Sequence, residues 1–148
     1  MQIINTYRVK SAVAAGLVTV LLLTGCQRKA EITFYDKNIT NQTIPCMKLA
    51  VTPPNRQMEQ TMRQLYRFTQ SCPYTLTLSY KSGIVCNSHY NAQTKALGKM
   101  PNSYMNLELR RGFKLLYSYY IDLDHVPNSG DMDTGFSQMK QDLTLEKQ

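Results

Sequence analysis

Hydrophobic and polar residues alternate most regularly in two stretches of the chain. Tyr74, Leu76, Leu78 and Tyr80 interleave with Thr75, Thr77 and Ser79. Further on, Phe113, Leu115, Tyr117, Tyr119, Ile121 and Leu123 share one face of a run that ends at Asp124. A period of two is the mark of a strand with one buried face. Met105, Leu107 and Leu109, alternating with Tyr104, Asn106 and Glu108, predict another strand, and Glu31–Tyr35 a short first one. Ile44–Val51 fits an edge strand because of Pro45, and Ile84–Tyr90 is also compatible with a strand. Lys81-Ser82-Gly83 and Arg111-Gly112 read as turns, and Asn91–Ser103 as a polar loop.

The period changes once. Between Asn55 and Gln70 there is no Gly or Pro, and Met58, Met62, Leu65 and Thr69 recur at helical spacing, with Tyr66 and Phe68 beside them. Glu59 and Arg63 add a supporting i,i+4 pair. Thr52-Pro53-Pro54-Asn55 has the character of a helix start, and Ser71-Cys72-Pro73 ends the pattern. The expected fold is therefore α+β: an antiparallel meander of four or more strands with one main helix packed on it, over residues 31–126. Residues 127–148 read as a polar tail or a short amphipathic helix carrying Phe136, Met139 and Leu143 on one face.

The amino-terminal end follows a different logic. Arg8 and Lys10 precede Ser11–Leu23, an apolar run without a charge that is too short to span a bilayer, for which about 20 residues are needed. Leu23-Thr24-Gly25-Cys26 follows directly. This order of segments resembles the signal peptide and lipobox of bacterial lipoproteins. The resemblance implies removal of residues 1–25, a covalent lipid on Cys26 and no other cofactor. Gln27, where an Asp would favour inner-membrane retention in enteric-type bacteria, implies an outer-membrane address, with the periplasmic side expected. Residues 26–30 then leave only a short tether before the first strand.

Composition adds less. The 148-residue chain carries 17 Lys+Arg and 10 Asp+Glu, a formal charge of +7 that becomes +5 once Arg8 and Lys10 are removed. No Lys/Arg run resembles a nucleic-acid arm, so the expected partners are the membrane and an envelope protein rather than nucleic acid. With Cys26 lipidated, Cys46, Cys72 and Cys86 remain, and an oxidising compartment favours one disulfide. A strand running from Cys46 to Thr52 and a helix returning beside it bring Cys46 and Cys72 together. Cys46–Cys86 is the alternative pairing.

Catalytic signatures such as G-x-S-x-G, H-E-x-x-H or a phosphate-binding glycine loop do not occur. His89 and His125 stand apart, and a metal site is not expected. Asp131-Met132-Asp133 with Asp142 only faintly echoes a calcium loop, since Phe136 occupies the glycine position. The binding candidates are Arg110, Arg111 and Tyr120 near the last turn, and the stripe Arg56, Arg63 and Arg67 on the helix. We therefore expect a non-catalytic accessory lipoprotein of a secretion, pilus or conjugation assembly. In general plan it resembles the small pilotin-type lipoproteins: lipid anchor, short tether, disulfide and compact domain. The alternative is an inhibitor or exclusion lipoprotein acting on a cell-wall hydrolase, a phage or plasmid transfer.

Overall fold

The alternating stretches become the centre of a five-stranded sheet. The computed structural model describes residues 29–85 and 101–146. Its strands are β1 (Glu31–Phe34), β2 (Thr43–Ile44), β3 (Lys48–Thr52), β4 (Tyr74–Lys81), β5 (Ser103–Arg111), β6 (Lys114–Leu123) and β7 (Thr144–Leu145). The helices are α1 (Arg56–Leu65) and α2 (Ser129–Asp142), with a 3-10 turn at Lys37–Asn41. The main sheet runs β1-β6-β5-β4-β3, and β2 pairs with β7 in a small second sheet. Neighbours in the main sheet are antiparallel except β3 and β4. That pair is parallel because α1 carries the chain back between them, which a tight turn cannot do.

The sheet has one apolar and one polar face. Leu76, Leu78, Met105, Leu107, Leu109, Tyr117 and Tyr119 are buried on the first. Both helices cover that face: α1 through Met58 and Met62, α2 through Met132, Phe136 and Met139. Asn55 caps α1 by accepting from the backbone N–H groups of Gln57 and Met58. Asn128 and Asp131 form a reciprocal capping box on α2. Gly135 marks the closest approach of α2 to the sheet, because a Cβ there would lie 2.8 Å from Cε1 of Tyr119. The second face carries Thr75, Thr77, Asn106, Glu108, Arg110 and Tyr120, all half-buried. Its groups bond to one another: Arg110 donates to Glu108 at 2.8 Å, Asn106 donates to Glu108 and Ser118 donates to Asn106.

The α+β class holds, and several finer expectations change. There are two helices on the sheet among the described residues, and the second is the longer. Of the two readings of residues 127–148, the amphipathic helix holds, with Phe136, Met139 and Leu143 all buried, and β7 closes onto β2 beyond it. A tail was the competing reading because the apolar stripe of this helix is narrow and interrupted by Gly130, Asp131, Asp133 and Gly135. α1 stops at Leu65, with Tyr66 already extended. Extended backbone lets Tyr66 and Phe68 meet each other at 5.1 Å, and Tyr66 reach Phe136 at 5.9 Å, which one helical face would not permit. The expected Ile44–Val51 strand is split at Pro45, and only its second half joins the main sheet. β4 pairs with β5, so that Leu78 faces Leu107; of the expected strand Ile84–Tyr90, Ile84 and Val85 lie outside any strand and the other residues lie outside the described ones. Cys46 and Cys72 are bonded, with Cα atoms 6.0 Å apart. The alternative partner Cys86 lies outside the described residues, as do Cys26, His89 and most of the 91–103 segment.

Candidate functional site

The ends of the sheet differ in charge, and the registers show how. Glu31 is opposite Tyr120, so β1 begins beside the carboxyl end of β6. Asp122 and Asp124 lie at the same end, and α2 starts there with Asp131 and Asp133 in its first turns. The opposite end gathers the start of β4, the β5–β6 turn, the carboxyl ends of both helices and the disulfide. Arg63, Arg67, Arg110, Arg111, Lys114 and Lys140 lie there, whereas Arg56 and Lys81 lie at the acidic end.

Two of the predicted arginines meet a third cation at that end. Arg63 and Arg67 line a cleft of about 620 Å³ together with Tyr66, Lys140, Leu145 and Glu146. Arg63 clasps Glu59 through two nitrogens at 3.0 and 2.8 Å. Lys140 stands 5.3 Å over the ring of Phe136. Arg63 and Lys140 occupy the last turns of α1 and α2, where cations complement unpaired carbonyls. Arg56 is not part of the cleft. It opens the same helix about 10 Å away by helical rise. Lys140 was outside the expected stripe because it belongs to the second helix, which only the fold brings beside α1.

The other predicted group is divided by the pleat. Arg110 lies on the polar face against Glu108, whereas Arg111 reaches the other side and stands 5.6 Å from the ring of Tyr74. Tyr120 shares the polar face with Arg110, but four residues along β5 separate its partner Asn106 from Arg110, about 13 Å. Tyr120 stacks on Tyr104 with ring centres 5.6 Å apart and donates its hydroxyl to Asp122 at 2.7 Å. That bond, helped by partial burial, pushes the phenol up to about 12. The binding candidate Tyr120 is thus a half-buried member of a side-chain stack.

Phe113 is the residue that periodicity assigned wrongly. It has the same parity as Leu115 and Tyr117, yet Arg111 pairs with Lys114 and leaves Gly112-Phe113 as a two-residue turn. Gly112 has φ +57°, which a two-residue hairpin requires at its first central position and which glycine adopts without strain. Phe113 then stands fully exposed at 103%. The clue available in the sequence was Gly112 itself, directly before an aromatic and a lysine.

At the acidic end, His125 lies between two carboxylates: Nδ1 is 2.9 Å from Asp124 and Nε2 is 3.0 Å from Asp131. Hydrogen bonding first to Asp124 and then to Asp131 raises its pKa above the ordinary value. Carboxylates on both nitrogens favour the imidazolium, the wrong form for a general base. Residues 131–142 are helical rather than a cation-binding loop, and Asp142 accepts from Tyr117 at 2.8 Å at the far end of α2. No family model, curated protein or solved structure matches this chain.

Proposed function

We propose that the protein is an outer-membrane lipoprotein whose domain is a non-catalytic accessory or binding component of a cell-envelope assembly of secretion, pilus or conjugation type. The observation that carries this reading is Leu23-Thr24-Gly25-Cys26, behind a charged and then apolar leader and five residues before β1 begins at Glu31. Five residues reach at most about 17 Å when extended, so a lipid on Cys26 would hold the domain against its membrane. The Cys46–Cys72 bond supports an oxidising compartment. One observation favours the alternative of an inhibitor or exclusion lipoprotein: Phe113 stands fully exposed at the tip of the β5–β6 hairpin, where a side chain that blocks a partner's pocket would stand.

The test is palmitate labelling and membrane fractionation of the wild type beside Cys26→Ala. The wild type should take up label, lose residues 1–25 and sediment with the outer membrane. The variant should persist as an unlabelled precursor. Normal processing and outer-membrane sedimentation of the variant would overturn the reading.

A further inference from the structure

Three exposed aromatics share the end of the domain farthest from the start of β1. Phe113 tops the β5–β6 hairpin, and Phe34 and Tyr35 are 39% and 55% exposed where β1 ends. These pieces are joined: Tyr35 donates its N–H to the carbonyl of Leu116 at 2.9 Å, and Lys114 holds Asp36 at 2.6 Å. Arg111 flanks the hairpin tip, and Lys37 follows Asp36. We propose that this end is a docking surface in which Phe113 enters an apolar pocket of a partner protein and Arg111 meets carboxylates on the rim of that pocket. The proposal rests on the anchored-lipoprotein reading.

Position, rigidity and charge each narrow the occupant. From the Glu31–Tyr120 pair to Lys114 the strand rise is about 20 Å, so the tip points away from the residues nearest the tether. The short tether keeps the end that carries Glu31, Asp122, Asp124, Asp131 and Asp133 nearest the lipid, so the hairpin tip stands on the far side of the domain. The tip is held in place: the Gly112 N–H donates to the Pro73 carbonyl at 3.3 Å, and Arg111 leans on Tyr74. A knob fixed in advance loses little freedom on binding, which suits a shaped pocket.

Anionic lipid is the weaker match. At the hairpin tip itself Arg110 and Lys114 already hold Glu108 and Asp36, which leaves Arg111 and Lys37 beside the aromatics, fewer than the about 4–8 cations that polybasic lipid recognition takes. Cell-wall carboxylates could meet Arg111 but offer no pocket for an aromatic ring. An acidic-rimmed protein pocket answers both features, in the manner of an aromatic and arginine hot spot.

The experiment places a photo-crosslinking phenylalanine analogue at position 113 of the full-length protein in cells, and at position 126 as a control. Val126 is 61% exposed and lies at the acidic end. Position 113 should yield one discrete protein adduct that position 126 does not. The crosslinked site on that protein should be an apolar pocket bordered by Asp or Glu. Arg111→Glu should cut the adduct by about tenfold, and reversing the facing carboxylate to Lys should restore it. Adducts to phospholipid or to a second copy of this chain, the same adducts from both positions, or none would overturn the proposal. Palmitate labelling of the same samples separates the failures. Labelled protein without the adduct removes the docking surface alone, and unlabelled protein removes the anchoring on which it rests.

Discussion

Gly135 shows how one position can matter through what it leaves out. In an exposed helix interior, replacing Gly by Ala gains about 1 kcal/mol of helix propensity. Here the added Cβ would lie 2.8 Å from Cε1 of Tyr119 and 3.1 Å from Leu107 Cδ1 and Met105 Cε. Leu107 and Met105 present flexible tips, but the Tyr119 ring is buried and must move as a unit. Gly135→Ala should therefore destabilise the domain by about 1–2 kcal/mol, and Gly135→Val by more, as overpacked cores do. Thermal unfolding of the two variants checks this, and a raised melting temperature for Gly135→Ala would contradict the close approach of α2. Nothing in Thr134-Gly135-Phe136 announces such a role, because closeness to a sheet is a property of two elements and not of one residue.

At the scale of elements, the amino end of α2 is where local sequence and tertiary structure meet. Asn128 accepts from Gly130 and Asp131, and Asp131 accepts from the N–H of Asn128. Asn128→Ala should cost about 1 kcal/mol, read as a lowered unfolding midpoint in denaturant. The same Asp131 also holds His125, which follows the end of β6, so strand and helix are joined by a protonatable link. The folded-state pKa of His125 is raised above 6.5, so the folded protein binds that proton more tightly than the unfolded chain. Its stabilisation is complete below about pH 6.5 and is lost as pH rises through the raised value. His125→Gln should thus be less stable than the wild type near pH 5.5 and converge with it near pH 9. A gap that widened with pH would refute the link. The Asn128–Asp131 cap joins residues three apart in sequence, whereas the second use of Asp131 depends on the turn after β6.

For the whole molecule, the disulfide and the charge distribution are the large-scale facts. Cys46 and Cys72 are 26 residues apart and join the chain before β3 to the start of β4. Closing a loop of that size is worth about 3–4 kcal/mol in the chain-entropy account. Cys46→Ser, Cys72→Ser and the double variant should each lose that amount, and the double should lose no more than either single. Melting curves with and without reductant test it, since only the wild type should respond to reduction. An unchanged wild-type curve after full reduction would deny the bond its structural role. The separation of charge follows from strand direction. Arg110, Arg111 and Lys114 surround one turn, and Asp122, Asp124, Asp131 and Asp133 surround the opposite connection, so antiparallel pairing sends them to opposite ends.

The sequence alone carried what depends on near neighbours. Alternation located β4, β5 and β6, helical spacing located α1, and the order of charged, apolar and lipobox segments supplied the expected address. Cys46 and Cys72 could be paired in advance because one strand and one helix with known rises separate them. What escaped was decided by packing across the chain. Tyr66 left its helix to reach Phe136, Gly135 became the contact of α2 with the sheet, and Phe113 was carried by two-residue turn geometry to a tip where its parity no longer counted. Arg63, Arg67 and Lys140 meet only because both helices end on the same side of one sheet. Hydrophobic period fixes which way a residue faces within its own element, but only the assembled layers fix what stands opposite it.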